Sequence, residues 1–258
     1  MTRRNWTRKE LIAAFNLYCK MPFGKLHKRN PKIIKLATII NRTPSAVAYK
    51  LVNFASFDPV LKLRGIKGMK NAAKADREIF NEFYTNQEEL VFESENVIAQ
   101  LEKQPIEEKY KDKLPILDSF KGNERTSYIK TRVNQHFFRE VVLSNYSSSC
   151  AITGISIPSL LIASHIKPWA QDENNRLNPG NGICLSALYD KAFDKGLITV
   201  DGKYRIVLSS ILKEYTTNEY YHTHFGQIEN QKIILPEKYL PEMKFLEWHQ
   251  ENIFENHN

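Results

Sequence analysis

Residues 160–169 read LLIASHIKPW, and this stretch decides the fold of the C-terminal half of the chain. A short apolar run leads directly into Ser164 and His165. A run of this length predicts a buried strand, and the histidine stands where that strand ends. A lone histidine at the end of a strand is usually a structural hydrogen-bonding residue, so a catalytic role for His165 depends on the residues that accompany it.

A loop and a helix are predicted downstream of this strand. Residues 178–182 read NPGNG and predict a rigid loop that carries Asn181. Residues 186–195 predict a short helix, in which Asp190 and Asp194 are four positions apart and share one face. Strand, loop and helix therefore supply an imidazole, an amide and two carboxylates within a short span of chain.

The elements around this segment predict an α+β fold for the C-terminal half. A long helix precedes it, further short strands flank it, and an Asp-Gly pair predicts a hairpin turn. The predicted elements are a helix at 127–145, a strand at 150–154, hairpin strands at 197–200 and 204–208, and a helix within 235–254. We expect Cys150 and Cys184 to be buried as small apolar residues.

These side chains fit the needs of a one-metal phosphodiesterase. A neutral imidazole such as His165 can deprotonate a water molecule. A divalent ion held by carboxylates can neutralise the scissile phosphate and the departing oxygen. An amide such as Asn181 can fix the loop beside the base.

Several motifs in this half occur in one order and resemble those of a known family. They are Arg132-x-x-Gln135-x-x-Phe138-Arg139, Cys150-Ala151-Ile152-Thr153-Gly154, Ala163-Ser164-His165-Ile166-Lys167-Pro168-Trp169, Asn178-Pro179-x-Asn181-Gly182 and Asp190-x-x-Phe193-Asp194-x-Gly196. With them, residues 125–258 resemble an HNH endonuclease domain of the ββα-metal type, in the variant without zinc-knuckle cysteines. Residues 1–80 are similar, more loosely, to the segment that precedes such domains in restriction-type nucleases.

The resemblance implies a role for each site residue. His165 would be the general base, Asn181 would orient the base and the metal loop, and Asp190 would bind one Mg²⁺ or Mn²⁺ per site. Two departures leave alternatives open. Ser164 stands where many members carry an Asp ligand, and Asp190 replaces the final histidine of the family name. Either Asp190 and Asp194 hold the ion together, with phosphate and water completing the shell, or the site is weakened. For Asp194 a separate alternative is a helix-terminal carboxylate that bonds to the backbone of Lys195 or Gly196.

Charge is distributed unevenly along the chain. The formal net charge of the whole chain is +8. Residues 1–80 carry a net charge of +14, residues 81–118 carry −6, and residues 119–258 are neutral. A basic segment of this strength predicts binding to a polyanion, most plausibly double-stranded DNA, against the alternative of a solvated lysine-rich surface.

Three segments follow from this charge pattern. They are a basic helical DNA-binding domain at 1–84, an acidic linker or helix at 85–118, and an HNH endonuclease domain at 119–258.

The basic segment predicts a helix-turn-helix-like arrangement. Helices at 31–40 and 45–54 flank a tight turn, and Arg42, Ser45 and Lys50 are the candidate DNA contacts. A purely structural helical hairpin is the alternative.

Arg132 and Arg139 lie seven positions apart on the long helix of the C-terminal half. They should therefore share a face and contact the DNA backbone near the active site. Surface salt bridges with neighbours such as Glu140 are the alternative.

The sequence thus predicts a metal-dependent DNA endonuclease of the restriction type, with methylated DNA as one option for its target. A homodimer would supply the two sites that double-strand cleavage needs. The alternative is a DNA-binding regulator or targeting protein on a catalytically degenerate HNH scaffold. An RNA-directed nuclease is less favoured, because residues 1–80 lack the interleaved aromatic residues of single-strand platforms.

Composition bounds these classes further. Three cysteines without a Cys-x-x-Cys pair argue against a disulfide framework and against a four-cysteine zinc site. No apolar run reaches the ~20 residues of a membrane span, and the N-terminus does not resemble a signal peptide. We expect a cytoplasmic protein that does not associate with a membrane.

Overall fold

A computed structural model describes residues 4–63, 65 and 73–254. The chain divides into two compact units, Met1–Val141 and Val142–Asn258, which are called unit 1 and unit 2 below. The predicted segment limits at 84/85 and 118/119 do not coincide with this division, and they stay a prediction about function.

Unit 1 is helical in its described part, and local sequence signals set the ends of its helices. Thr7 and Glu10 form a capping box before the first helix, and Thr43 caps the third, which begins with Pro44. The helices are α1 Arg8–Cys19, α2 Pro31–Ile39, α3 Pro44–Ala55, α4 Pro59–Leu63, α5 Lys74–Thr85, α6 Gln87–Leu101, α7 Ile106–Lys109 and α8 Gly122–Asn145, which ends just past the unit boundary. No described helix is long and apolar enough to cross a bilayer.

Aromatic side chains form the centre of unit 1. Phe15 of α1 packs edge-on against Phe54 of α3, with ring centroids 5.0 Å apart, and Phe83 lies 5.2 Å away. Helix α2 packs on α3 as the helix-turn-helix pattern predicts. Helix α6 packs on α1 and buries Leu90 and Val91, so part of the acidic segment belongs to the core of unit 1.

Unit 2 is built around two antiparallel strands and a helix, which confirms the α+β class. Strand β1 pairs with β2 from Leu161 opposite Ser186 to His165 opposite Gly182, and α9 packs on both strands. The elements are β1 Leu161–His165, β2 Gly182–Ser186, α9 Ala187–Asp194, β3 Ile198–Val200, β4 Ile206–Leu208, α10 Ser210–Lys213, α11 Glu219–His224 and α12 Met243–Asn252. Strands β3 and β4 form the predicted antiparallel hairpin.

The strand predicted at 150–154 is wrong, because this segment forms a tight turn. The Gly154 amide donates to the Cys150 carbonyl at 2.9 Å, and Gly154 has a φ of 71°, which a glycine adopts without strain. The Ala151 amide donates to the Cys184 carbonyl at 2.7 Å, so the turn is fastened to β2. Both cysteines are buried and unbridged, as predicted.

Candidate active site

The imidazole of His165 is held at the end of β1. Its Nε2–H donates to the Arg176 carbonyl oxygen at 3.0 Å, and the Trp169 ring meets it edge-on at 5.6 Å. Burial lowers the pKa of His165 below its usual range, while the bond to Arg176 partly raises it. A neutral ring that donates through Nε2 carries its lone pair on Nδ1, which is the state that a general base requires.

Arg176 braces the loop opposite His165. Its Nε–H donates to the Trp169 carbonyl at 2.9 Å, and its guanidinium lies 5.3 Å from the centre of the Trp169 ring. The carbonyl that accepts from His165 therefore belongs to a residue whose own side chain is anchored. Sequence reasoning missed Arg176, because no local pattern links it to a histidine eleven positions earlier.

Asn181 clamps the chain that follows the base. Its Oδ1 accepts from the Lys167 amide at 2.8 Å, and its Nδ2 donates to the Lys167 carbonyl at 3.0 Å. Its backbone carbonyl accepts from the Ile166 amide at 3.0 Å. The amide thus fixes the backbone immediately after His165, and its role in orienting the base and the metal stays a prediction.

Glu242, at the start of α12, supports the same loop. It accepts from Asn178 Nδ2 at 2.8 Å, and its own amide donates to the Gly180 carbonyl at 2.9 Å. A Cβ at position 180 would lie 2.7 Å from Glu242 Oε1 and 2.9 Å from its Cγ, so a larger residue there would force the Glu242 side chain to shift. The Pro/Gly composition predicts a rigid loop, but the sequence does not indicate that Glu242 packs against Gly180.

Helix α9 carries the two carboxylates, and the environment of each disfavours its charge. Burial raises the pKa of Asp190, and the Ser164 hydroxyl partly offsets this rise. Asp194 is more exposed, yet partial burial and the charge of Asp190 raise its pKa. Two neighbouring carboxylates with raised pKa values form a site that a cation would stabilise.

The backbone amides that follow Asp194 do not cap its side chain. The Lys195 amide donates to the Lys191 carbonyl at 3.1 Å, and the Gly196 amide donates to the Phe193 carbonyl at 2.9 Å. The helix therefore closes on its own carbonyls, with Gly196 at a φ of 65°. The Asp194 carboxylate is therefore not used as a cap by these two amides, and its role as a metal ligand stays a prediction.

The donor set fits a hard divalent ion. The buried Ser164 hydroxyl interacts with the Asp190 carboxylate and partly offsets the rise in its pKa. No cluster of three His, Cys, Asp or Glu side chains suited to a metal occurs in the part of the chain that the structure describes. Mg²⁺ commonly uses one or two carboxylates and completes its shell with water and substrate phosphate. Asp190 and Asp194 meet that requirement.

His249 of α12 contacts α9, the helix that carries Asp190 and Asp194. Its Nε2–H donates to the Phe193 carbonyl at 3.1 Å, and its ring stacks on Phe193 with centroids 3.7 Å apart. The Thr199 hydroxyl lies 2.9 Å from Nδ1. Burial lowers the pKa of His249 to about 4. The sequence analysis did not single out this histidine as part of the site.

Arg132 and Arg139 lie in unit 1, on α8. Arg132 is exposed, donates to Gln135 Oε1 at 3.1 Å and stands 5.2 Å from the Tyr128 ring. Glu140, the partner considered for these arginines, binds Lys20 at 2.8 Å. The contact of Arg132 and Arg139 with DNA stays a prediction.

Two of the three predicted DNA contacts in the basic segment are committed to internal ion pairs. Arg42 binds Glu10 through Nε and Nη2, each at 3.0 Å, and its side chain is 8% exposed. Lys50 binds Asp76 at 2.6 Å and is equally buried. Both cations are held away from solvent by these ion pairs. Removal of Lys50 would leave the Asp76 carboxylate buried without its cation, whereas Glu10 would keep its second ion pair with Arg4 at 2.7 Å. Ser45 is partly exposed in the first turn of α3 and stays a candidate.

The exposed positive charge of unit 1 lies elsewhere. Lys25, Lys28, Arg29 and Lys32 are exposed before and within the first turn of α2, and none of them forms an ion pair with another described residue. These four residues are called the basic segment of α2 below. The sequence contains them, but it does not indicate that they, rather than Arg42 and Lys50, remain open to solvent.

Comparison with known proteins agrees with this geometry. Residues 150–201 match the model of a family described as HNH endonuclease, and the match spans the turn at Cys150, both strands and α9. A search among curated proteins found no significant match. Unit 2 therefore contains an HNH endonuclease domain, and a domain of this family supports nuclease activity.

Proposed function

We propose that the protein is a metal-dependent DNA endonuclease that hydrolyses phosphodiester bonds. The observation that carries this proposal is the fixed orientation of His165 in the HNH segment, with the carboxylate helix packed on the same two strands. An HNH domain acts on nucleic acid, and the basic segment of α2 favours a duplex phosphate backbone as its partner.

His165 Nδ1 takes a proton from the attacking water. The Arg176 carbonyl holds the Nε2–H throughout, so the ring stays in the tautomer that accepts at Nδ1. Asn181 keeps the backbone beyond the base from shifting. Asp190 and Asp194 would hold one Mg²⁺ or Mn²⁺, which when bound supplies charge neutralisation to the scissile phosphate and the departing oxygen.

The products and the number of strands cut follow from the same proposal. By the resemblance to HNH nucleases, the ends would carry 5′-phosphate and 3′-hydroxyl groups. One site cuts one strand at a time, so double-strand cleavage would use a homodimer or two successive encounters. A cytoplasmic restriction-type role in defence, with methylated DNA as one target, completes the proposal and rests on the resemblance of the N-terminal segment.

The first test is cleavage of supercoiled plasmid, methylated and unmethylated, with Mg²⁺, with Mn²⁺ and with EDTA. We expect metal-dependent nicking that His165→Ala lowers by about 10²–10⁴-fold, because general-base catalysis contributes that factor. Asp190→Ala should abolish the metal-dependent nicking. His222→Ala, an exposed histidine of the same unit, is the matched control and should cleave normally. DNA affinity in EDTA should be nearly the same for all four proteins.

One feature favours a second candidate, a DNA-binding regulator on a degenerate HNH scaffold. Ser164 precedes the base where many HNH proteins have a carboxylate, so the site has one strong ligand fewer. Tight DNA binding with no cleavage in either metal, on either plasmid, would favour this candidate over the nuclease.

A further inference from the structure

A cleft of about 410 Å³ opens in unit 1. Its apolar side is formed by Leu17, Leu36, Ile39 and Ile98, which come from α1, α2 and α6. Small-molecule sites occupy roughly 300–1,000 Å³ and are lined largely by apolar side chains. The cleft has the size and one wall of such a site, and it is unrelated to the HNH residues of unit 2.

The opposite side of the cleft is a buried and fully paired ion network. The Glu95 carboxylate is 1% exposed and accepts from Lys20, from Asn16 at 2.8 Å and from Lys109 at 3.1 Å. Lys20 also binds Glu140 at 2.8 Å. Because each charge has a partner, this wall is rigid and can accept a polar ligand edge without rearrangement.

One polar atom at this wall makes no hydrogen bond to a described residue. His136 lines the cleft, and its buried Nδ1 lies 3.5 Å from Glu140 Oε2 without hydrogen-bonding to it. Burial lowers the pKa of His136, so the ring is neutral near pH 7. Its edge packs on Tyr110, with ring centroids 5.4 Å apart. Buried polar atoms are nearly always satisfied, so this nitrogen indicates a missing water or ligand group.

The rim of the cleft carries lysines together with one exposed carboxylate, Asp112. Lys32 and Lys113 are exposed lining residues, and neither pairs with a carboxylate within the described ranges. Lys35 is also at the rim, where it binds Glu102 at 2.6 Å. Lys32 belongs to the basic segment of α2, so the cleft is continuous with the exposed positive surface of unit 1. Lysine ammonium groups at a rim suit a phosphate as point charges.

We propose that this cleft binds a nucleoside monophosphate unit. The base lies against Leu36 and Ile98 with its polar edge toward His136, and the phosphate lies between Lys32 and Lys113. This binding site is separate from the proposed phosphodiester cleavage. Only the choice of a nucleotide as the ligand rests on the proposed function, because an enzyme that acts on nucleic acid encounters nucleotides. The unit can come from free mononucleotide or from a nucleotide turned out of a duplex.

The test is calorimetric titration of the full-length protein in EDTA with dAMP, dCMP, dGMP and dTMP. Each nucleoside and inorganic phosphate are titrated separately. We expect at least one mononucleotide to bind with a dissociation constant below about 1 mM, and its nucleoside to bind at least about tenfold more weakly. Absence of binding for all four mononucleotides, or equal binding of nucleoside and nucleotide, would overturn the proposal.

Matched variants locate the binding. Ile98→Trp fills the cleft and should weaken binding more than tenfold, whereas Ile34→Trp places the same ring on an exposed position of α2 outside the lining. Lys113→Gln should weaken binding about tenfold, and the exposed Lys111→Gln should leave it unchanged. Thermal unfolding checks that each variant folds. Unchanged affinity in Lys113→Gln and in folded Ile98→Trp would refute the assignment.

A duplex that carries 2-aminopurine distinguishes the two sources of the ligand. If 2-aminopurine fluorescence rises when the protein binds the duplex and falls when free mononucleotide is added, the ligand is a nucleotide turned out of the duplex. No rise, with mononucleotide still bound, indicates a free ligand. Plasmid nicking by the same preparations separates the two proposals. If the protein cleaves plasmid but binds no nucleotide, only the proposed nucleotide site is refuted. If it binds nucleotide but does not cleave plasmid, only the nuclease proposal is refuted.

Discussion

His249 should make unit 2 sensitive to acid. In the folded protein both ring nitrogens of the neutral imidazole are used, by the Phe193 carbonyl and by the Thr199 hydroxyl. A second proton would place a charge in a site that is 1% exposed. Burial therefore lowers the pKa of His249 from 6.5 to about 4.

The size of the effect follows from that shift. The unfolded chain takes up the proton near pH 6.5, whereas the folded chain resists it until about pH 4. The stabilising contribution is present above pH 6.5 and is lost as the pH falls through this window, because the unfolded state then binds more protons. At 1.36 kcal/mol per pKa unit the full loss is about 3 kcal/mol, and about 2.5 kcal/mol of it has occurred by pH 4.5.

The assay compares wild type with His249→Gln, which removes the titratable ring and keeps an amide donor. Urea unfolding is followed at pH 7.5 and pH 4.5 through the methyl signals of Ile198 and Val200 in β3, so that unit 2 is observed separately. We expect wild type to lose about 2.5 kcal/mol more than the variant between the two pH values. Parallel losses in the two proteins, or a His249 ring that titrates near its usual pKa, would refute the reasoning.

Three further substitutions test the candidate active site and the predicted DNA contact at Arg42. Gly180→Ala should lower the free energy of unfolding of unit 2 by about 1–3 kcal/mol in urea titration, because its Cβ meets an anchored carboxylate; an unchanged midpoint would show that the loop yields. Asn181→Ala removes both side-chain bonds to Lys167 and should reduce plasmid nicking at least about tenfold with DNA affinity retained, and full activity would argue against the clamp. Arg42→Gln should destabilise unit 1 by about 1.5–3 kcal/mol, because it removes two charged hydrogen bonds to Glu10 and leaves Arg4 as the only described arginine at that carboxylate, while the folded protein binds DNA with an unchanged salt slope. A shallower slope in the binding titration would restore Arg42 as a phosphate contact.

Local patterns predicted the elements of the site well. The strand before His165, the helix with Asp190 and the hairpin after it were all readable from short-range hydrophobic patterning and turn residues. The exception is the strand predicted at 150–154, where short-range hydrophobic patterning gave the wrong secondary structure. A short apolar run is compatible with a strand or a turn, and the fastening of the Ala151 amide to the Cys184 carbonyl decided for the turn.

The sequence did not predict the residues that hold the site in place. Arg176, Glu242 and His249 position the base, the loop and the carboxylate helix, yet each acts through partners that are distant in sequence or through backbone atoms. A backbone carbonyl has no signature in a sequence, because every residue has one. The orientation of His165 is therefore a property of the folded loop rather than of the HNH motif.

By itself, the sequence determined the chemistry that is present: a histidine, an asparagine and two carboxylates in the order of an HNH domain, and an excess of positive charge in residues 1–80. Only the tertiary structure decided which of those charges can act. Arg42 and Lys50 are neutralised by Glu10 and Asp76, 32 and 26 positions away. The free energy of burying a charge depends on which distant partner the fold brings beside it, and residue type and local pattern do not contain that information.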